Sequence, residues 1–245
     1  MSPVTRQLLC SAGIGGGMDV LHLYCGYGDL TFEVADRVGP SGSVMGIDPS
    51  AEAVASAKAH AARHGYHNVE FRVAEIDRFS RSTLFDAVVC RHVLVGQRDP
   101  AAFLRSAARF LRKRGVIAVH EMDMSRGIRS VPPLPDLRPV NDVIRTALER
   151  NGVVSDAGRR LVDLFDEADI PLPMLFAQSV VASGLDGSTF SMIASTMRSL
   201  AQHLTEDEVA SVDVDTLERR LRCSALRLRS QVEFMAQVCA WARVG

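Results

Sequence analysis

The sequence predicts an α/β fold built on a doubly wound, mostly parallel sheet, and three observations predict it. The first half alternates short apolar runs with amphipathic stretches of helical length, which is the pattern of right-handed βαβ units. Those apolar runs are nearly continuous instead of alternating, as strands covered on both faces require. A glycine-bearing loop, Tyr24-Cys25-Gly26-Tyr27-Gly28, follows the first run, and Asp48 closes the second run 22 residues beyond Gly26. Together they describe a Rossmann-like fold, expected here as a seven-stranded sheet with helical lid insertions.

Each element has its own signal. Asp19 to Tyr24 reads as the first strand, and Asp29 to Val38 as a helix stopped by Gly39-Pro40. Ser43 to Ile47 is the second strand. Pro49-Ser50 opens an alanine-rich helix to about Arg63, ahead of Gly65. Val69 to Val73 and Phe85 to Cys90 are the third and fourth strands. Asp99-Pro100 opens a helix with its stripe at Phe103, Leu104, Ala107, Phe110 and Leu111, and Val116 to Val119 follows as the fifth strand.

The second half changes character. Four prolines between Val131 and Pro139 mark a loop. Arg138 to Arg150 and Ser155 to Ala168 look helical, while Met174 to Ala182 and Val232 to Trp241 look like the sixth and seventh strands. The expected organisation is a Rossmann-like core over 1–125, a helical linker or cap over 126–173, and the last two strands over 174–245 with a helical lid insertion at about 188–229. The helices of the second half could instead form a separate unit, which leaves a homodimer open.

Composition narrows the partners. Lys and Arg total 28 against 29 Asp and Glu, so the net charge of −1 gives no footprint for nucleic acid or a charged membrane. No uninterrupted apolar stretch of about 18 residues predicts a membrane span. The five cysteines form no C-x-x-C pair, and Met1 to Cys10 lacks a basic-then-apolar leader pattern, so a cytoplasmic setting is expected.

Ligands of a doubly wound sheet bind at the carboxyl ends of its strands. Glycines let backbone approach a ligand closely, and Asp48 stands where a nucleoside cofactor needs an acceptor for its ribose hydroxyls. The plainer role for Asp48 is to cap the alanine-rich helix. With a strand order of 3-2-1-4-5, His22, His92 and His120 end adjacent strands, near Glu121 and Asp123. Neighbouring residues of one strand point to opposite faces, so no metal centre is expected. His92 is the candidate general base, with Glu121 as a second catalytic candidate. Asp123 and His120 are candidates for orienting the substrate. The plainer reading of His92 is a hydrogen-bonded wall residue.

Five segments, in order, resemble the class I S-adenosylmethionine-dependent methyltransferases of the small-molecule type. They are Val20-Leu21-His22-Leu23-Tyr24-Cys25-Gly26-Tyr27-Gly28, Gly46-Ile47-Asp48-Pro49-Ser50, Val69 to Ile76, Phe85-Asp86-Ala87-Val88 continuing to Asp99-Pro100, and Leu111 to Gly115. The resemblance covers about residues 8 to 123 and implies the cofactor, with S-adenosylhomocysteine as its product. By position it implies that Gly26 and Gly28 line the methionine and ribose side, and that Asp48 holds the ribose with Pro49 against the adenine. It places Glu75 and Ile76 at the adenine border and Arg91 beside the methionine moiety. His22 stands where the family has an acid that helps hold the cofactor's ammonium group, and Tyr24 where it has a glycine; both belong to the expected cofactor contacts.

The apolar lid residues Phe176, Phe190, Met192, Met197 and Leu200 point to a hydrophobic small-molecule substrate, as in secondary metabolism, although packing of the lid itself explains them as well. The reaction expected first is methyl transfer to that molecule. The alternatives are a cyclase or isomerase on the same fold, or a partner protein without catalysis.

Overall fold

The computed structural model describes residues 3–80, 83–200 and 204–245. In chain order, the elements begin with α1 (Pro3–Ser11), β1 (Asp19–Leu23), α2 (Asp29–Val38), β2 (Ser43–Asp48), α3 (Ala51–His64) and β3 (Val69–Val73). Then come β4 (Phe85–Arg91), α4 (Pro100–Ala108), β5 (Leu111–Asp123), β6 (Arg129–Val131), α5 (Leu137–Arg150) and α6 (Leu161–Glu167). The remainder is β7 (Met174–Gln178), β8 (Val181–Ser183), α7 (Gly187–Leu200), α8 (Glu206–Val212), α9 (Val214–Leu228), β9 (Gln231–Glu233) and β10 (Ala236–Arg243).

The main sheet has seven strands in the order β3-β2-β1-β4-β5-β10-β7. The β1–β2, β2–β3, β1–β4 and β4–β5 pairings are parallel, so the chain reverses direction of growth between β1 and β4. Helix boundaries follow their caps. Ser50 accepts a hydrogen bond from the Ala53 N–H to start α3, and Asp99 accepts one from the Ala102 N–H to start α4, with Pro100 inside the first turn. At the opposite edge of the sheet, Arg112 bonds Asp86 at 2.7 Å and Asp19 at 2.8 Å, tying the starts of β1, β4 and β5 together.

Contacts divide the chain into two compact units. The first holds Met1–Glu121, Ala157–Ala177 and Val238–Gly245; the second holds Met122–Asp156 and Gln178–Gln237. These bounds cut across the expected domains, because α6 and β7 belong to the first unit. The core of the first unit on the α1–α2 side packs Leu8, Leu9, Leu30 and Val34 on Val20, Val89 and Ala118. The second unit carries a sheet of its own, β6-β9-β8, antiparallel throughout, with α5, α7, α8 and α9.

That second sheet corrects the expected end of the chain. The apolar run Met174 to Ala182 contains two strands, β7 in the main sheet and β8 in the small one. The run Val232 to Trp241 likewise divides into β9 and β10. The second run breaks at Phe234-Met235, where hydropathy has nothing to mark it; the first breaks beside Gln178-Ser179, a polar pair too short to read as a turn. Residues 155–160, expected as helix, form turns, and the helix starts only at Leu161. The expected helical insertion is α7 to α9; its residues 201–203 lie outside the described residues.

The residues read as an apolar lid are largely core. Phe190 and Met197 are fully buried among Ile193, Leu217 and Leu221, with Met192 and Leu200 packed against them. Phe176 stands apart from that cluster, in the first unit, 6.2 Å from Trp241 between ring centres. Burying such a set removes from water the surface that would otherwise make the second unit unstable.

Candidate active site

The loop after β1 is held by Asp48. One carboxylate oxygen of Asp48 accepts the Gly26 N–H at 2.8 Å, and the other accepts the Ser50 N–H at 2.8 Å. Asp48 is therefore not the cap of α3; Ser50 is. Each oxygen keeps a second lone pair, so the carboxylate can still accept from hydroxyl groups. Gly26 takes φ +52, and a Cβ built on it meets nothing within 4 Å. That is the open side of the loop. Gly28 takes φ +93 and begins α2 without a side-chain cap. A Cβ on Gly28 would lie 2.8 Å from the Phe32 ring and 3.1 Å from Phe71, so this glycine serves packing on the closed side. Cys25 turns into the same closed side, among Phe32, Val54 and Phe71. Burial, then Asp48, pushes its thiol up to about 12, which leaves it protonated and unreactive.

His22 and Tyr24 stand where β1 runs into the loop, and both side chains have partners in the scaffold. His22 is only 3% exposed, and its Nδ1 lies 2.8 Å from the Thr31 hydroxyl on α2. It braces the strand against the helix and presents almost no surface to a ligand. Burial first, and the Arg91 charge second, lower its pKa to about 3, so the ring is neutral at physiological pH. Tyr24 has φ 54, the left-handed conformation that suits a glycine, at a cost of about 1–2 kcal/mol for a residue with a Cβ. Its ring leaves the loop toward α4 and meets Phe103 edge-on, 5.7 Å between centres.

The buried neutral His22 makes the protein acid-sensitive. Once unfolded, the ring regains a pKa near 6.5 and binds a proton that the folded state refuses. Stability contributed by this site is complete above pH 6.5 and falls as the pH drops toward about 3. By pH 5 the loss is about 2 kcal/mol. Urea unfolding at pH 7 and pH 5 is expected to show a gap smaller by that amount in His22→Asn. An unchanged gap would mean that the ring is not buried neutral.

The other candidates divide in two groups. Glu75 and Ile76 follow β3, where the Ala74 N–H bonds the Asp48 carbonyl. Ile76 is buried and Glu75 exposed, 3.7 Å from Arg78. Pairing puts Arg91 beside His120 and Val89 beside His22, so Arg91, His22 and His120 share one face of the sheet. Arg91 is half-buried at the end of β4. His92 follows at φ 57, exposed, with its N–H on the His120 carbonyl at 2.8 Å and its ring 4.9 Å from that of His120. Partial burial and then Arg91 lower its pKa, although the residue stays open to solvent.

His120 and Glu121 are both buried. His120 is 1% exposed and bonds Thr5 of α1 through Nδ1 at 3.0 Å. Glu121 is fully buried, and one carboxylate oxygen accepts the N–H groups of Val93 at 2.6 Å and Leu94 at 2.9 Å. The expected roles in catalysis and substrate orientation are corrected on that ground: both side chains serve the scaffold. Asp123, the last residue of β5, accepts the Ser125 N–H at 3.0 Å and closes a turn at the start of the second unit. Thr5 and Thr31 escaped the sequence reading, because a lone threonine on a helix carries no signal of its partner. The groove lined by Ile128, Leu134, Asn141 and Glu233 lies in the second unit and contains none of these residues.

The first unit thus offers a loop open above Gly26, a carboxylate with spare acceptors at the end of β2, and a helix that begins without a side-chain cap. These fit a nucleoside carrying an amino-acid chain. A family model described as a methyltransferase domain matches residues 14–150, more than half of the chain. The chain belongs to that family. Within the methyltransferase domain, the chain is 34% identical over 137 residues to the nocamycin O-methyltransferase of Saccharothrix syringae, covering 56% of this chain and 46% of that protein. It is 33% identical over 107 residues to a ubiquinone biosynthesis O-methyltransferase of Bradyrhizobium, covering 44% and 41%. The matches span less than half the length of these curated relatives. Among solved structures, a Bacillus halodurans protein described as a candidate methyltransferase aligns over 97% of both chains with a TM-score of 0.63 at 18% identity. The cyclase SpnF aligns over 99% of this chain and 84% of its own with a TM-score of 0.57 at 19% identity. Both share the fold of the methyltransferase domain.

Proposed function

We propose that this chain transfers a methyl group from S-adenosylmethionine to a hydroxyl of an apolar small molecule. The single observation that carries the reading is the loop of Gly26 held by the Asp48 carboxylate and open on its outer side. Asp48 would accept the ribose hydroxyls, with Pro49 and Ile76 against the adenine and Glu75 at its border. The N–H groups at the start of α2 and the guanidinium of Arg91 would face the carboxylate end of the methionine moiety. When bound, the cofactor supplies a sulfonium methyl to an in-line displacement and leaves as S-adenosylhomocysteine. The residues of this chain position the acceptor and exclude water.

An alcohol or phenol loses a proton as its oxygen gains the methyl group. His92 is exposed at the carboxyl edge and is the imidazole placed to take that proton; burial and then the Arg91 charge lower its pKa to about 4, which keeps the ring neutral and makes it a weak base. The names of the two O-methyltransferase relatives support oxygen as the accepting atom. The even charge balance supports a small molecule over nucleic acid, and a cytoplasmic setting accords with thiols that are free throughout.

Titration calorimetry with S-adenosylmethionine and S-adenosylhomocysteine tests the reading. Saturable binding of both at micromolar concentration is the expected result. Absence of heat at millimolar cofactor would overturn it. Cofactor that binds but yields no S-adenosylhomocysteine across hydroxylated aromatic acceptors would move the assignment to rearrangement chemistry.

A further inference from the structure

The turn after β4 is over-determined. Three consecutive N–H groups are fastened to β5: that of His92 to the His120 carbonyl, and those of Val93 and Leu94 to a single oxygen of Glu121. Inside this turn His92 adopts φ 57, which a residue with a Cβ keeps only when its surroundings impose it. A fully buried carboxylate is costly to maintain. Here it is spent on two backbone donors that a plain loop would leave to water. The result is a side chain that stands out from the sheet while its backbone cannot relax.

We propose that Glu121 is the positioning residue of this site, holding His92 in its left-handed conformation so that the imidazole meets the acceptor hydroxyl. The proposal rests on the reading of His92 as the proton acceptor. Glu121 touches neither substrate nor cofactor; it acts through the turn. Two consequences separate this role from general support of the fold. Removing the carboxylate lowers turnover without weakening the cofactor, because the Gly26 loop and Asp48 belong to β1 and β2 and Arg91 is held within β4, ahead of the turn, by its pairing with β5. Its removal also costs nothing further once His92 is absent.

The experiment follows S-adenosylhomocysteine release from S-adenosylmethionine with 3,4-dihydroxybenzoate as the acceptor probe, alongside calorimetric cofactor affinity. His92→Ala is expected to lose about a hundredfold in kcat. Glu121→Ala is expected to lose a similar factor, with cofactor Kd within twofold of the parent. Glu121→Gln, whose amide oxygen accepts the same two hydrogen bonds, recovers most of that loss. In the double variant the two losses do not multiply. Losses that multiply, or a Glu121→Ala loss matched by weakened cofactor binding, would overturn the proposal. Amide NMR of the parent and of Glu121→Gln decides the structural half independently of turnover and of whether Glu121→Ala folds. The Val93 and Leu94 amide protons are expected far downfield in the parent and shifted upfield in the variant. Amides of 93 and 94 unmoved by the substitution would sink the clamp. If His92→Ala retains full turnover, or the parent is silent toward the phenol while binding cofactor, the proton-acceptor reading fails and takes the positioning role with it, even where the amide shifts hold.

Discussion

Asp48→Ala is expected to weaken S-adenosylmethionine binding at least a hundredfold while leaving the protein folded. The carboxylate does two things at once. It presents lone pairs toward the outer side of the site, and it holds the Gly26 N–H at 2.8 Å. A hydrogen bond to a charged group contributes about 1.5–3 kcal/mol, and a hundredfold change in affinity corresponds to about 2.7 kcal/mol. Loss of two such bonds to ribose hydroxyls therefore exceeds that threshold before any loosening of the loop is counted. Helix α3 survives because Ser50, not Asp48, caps it. Calorimetry on the variant, with thermal unfolding as the control for folding, reads the effect directly. A Kd within threefold of the parent would show that the ligand lies elsewhere.

Gly28→Ala is expected to cost about 3 kcal/mol of stability, and Gly26→Ala about 1. Both glycines have positive φ, so any side chain there bears the left-handed penalty of about 1–2 kcal/mol. They differ in what surrounds them. At Gly28 the new methyl would sit 2.8 Å from Phe32 and 3.1 Å from Phe71, in a cluster that includes Cys25 and Val54. Forcing an atom into such packing adds about 1–3 kcal/mol. At Gly26 the methyl enters open space. The contrast then reverses for the ligand: Gly26→Ala is expected to lose the greater share of cofactor affinity, because its methyl stands where the ligand approaches. Urea unfolding and calorimetry on the two variants give both readings. Equal stability losses would show that the strain alone governs, and that the closed side of the loop can yield.

Much of the cofactor half was legible because its signals are local. Ser50 and Asp99 mark helix starts by accepting the N–H groups of residues three positions on, and Pro100 fits the first turn of its helix. The acid closing β2 and the glycines after β1 are set by backbone geometry that any ligand-holding loop of this kind must adopt. The fifth strand was read too short, since the sequence Arg112-Lys113-Arg114-Gly115 is polar; the register slips there and the strand continues past it. The site residues read from His and acid content fared less evenly. His92 does stand at the carboxyl edge. Neighbouring His120 and Glu121 vanish into the scaffold, bound to Thr5 and to the turn at Val93 and Leu94.

The sequence by itself determined the α/β core, the succession of its first five strands along the chain and the loop that would hold a cofactor. Those follow from hydrophobic period, caps and turn residues, which act over a few positions. Only the tertiary structure decided that the last two apolar runs each split between two sheets, and that His22 is a neutral brace on Thr31. It also decided that Glu121 serves a backbone turn. The physical reason is the same in each case: strand partners, burial and the pKa of a buried ring are set by residues far away in the chain.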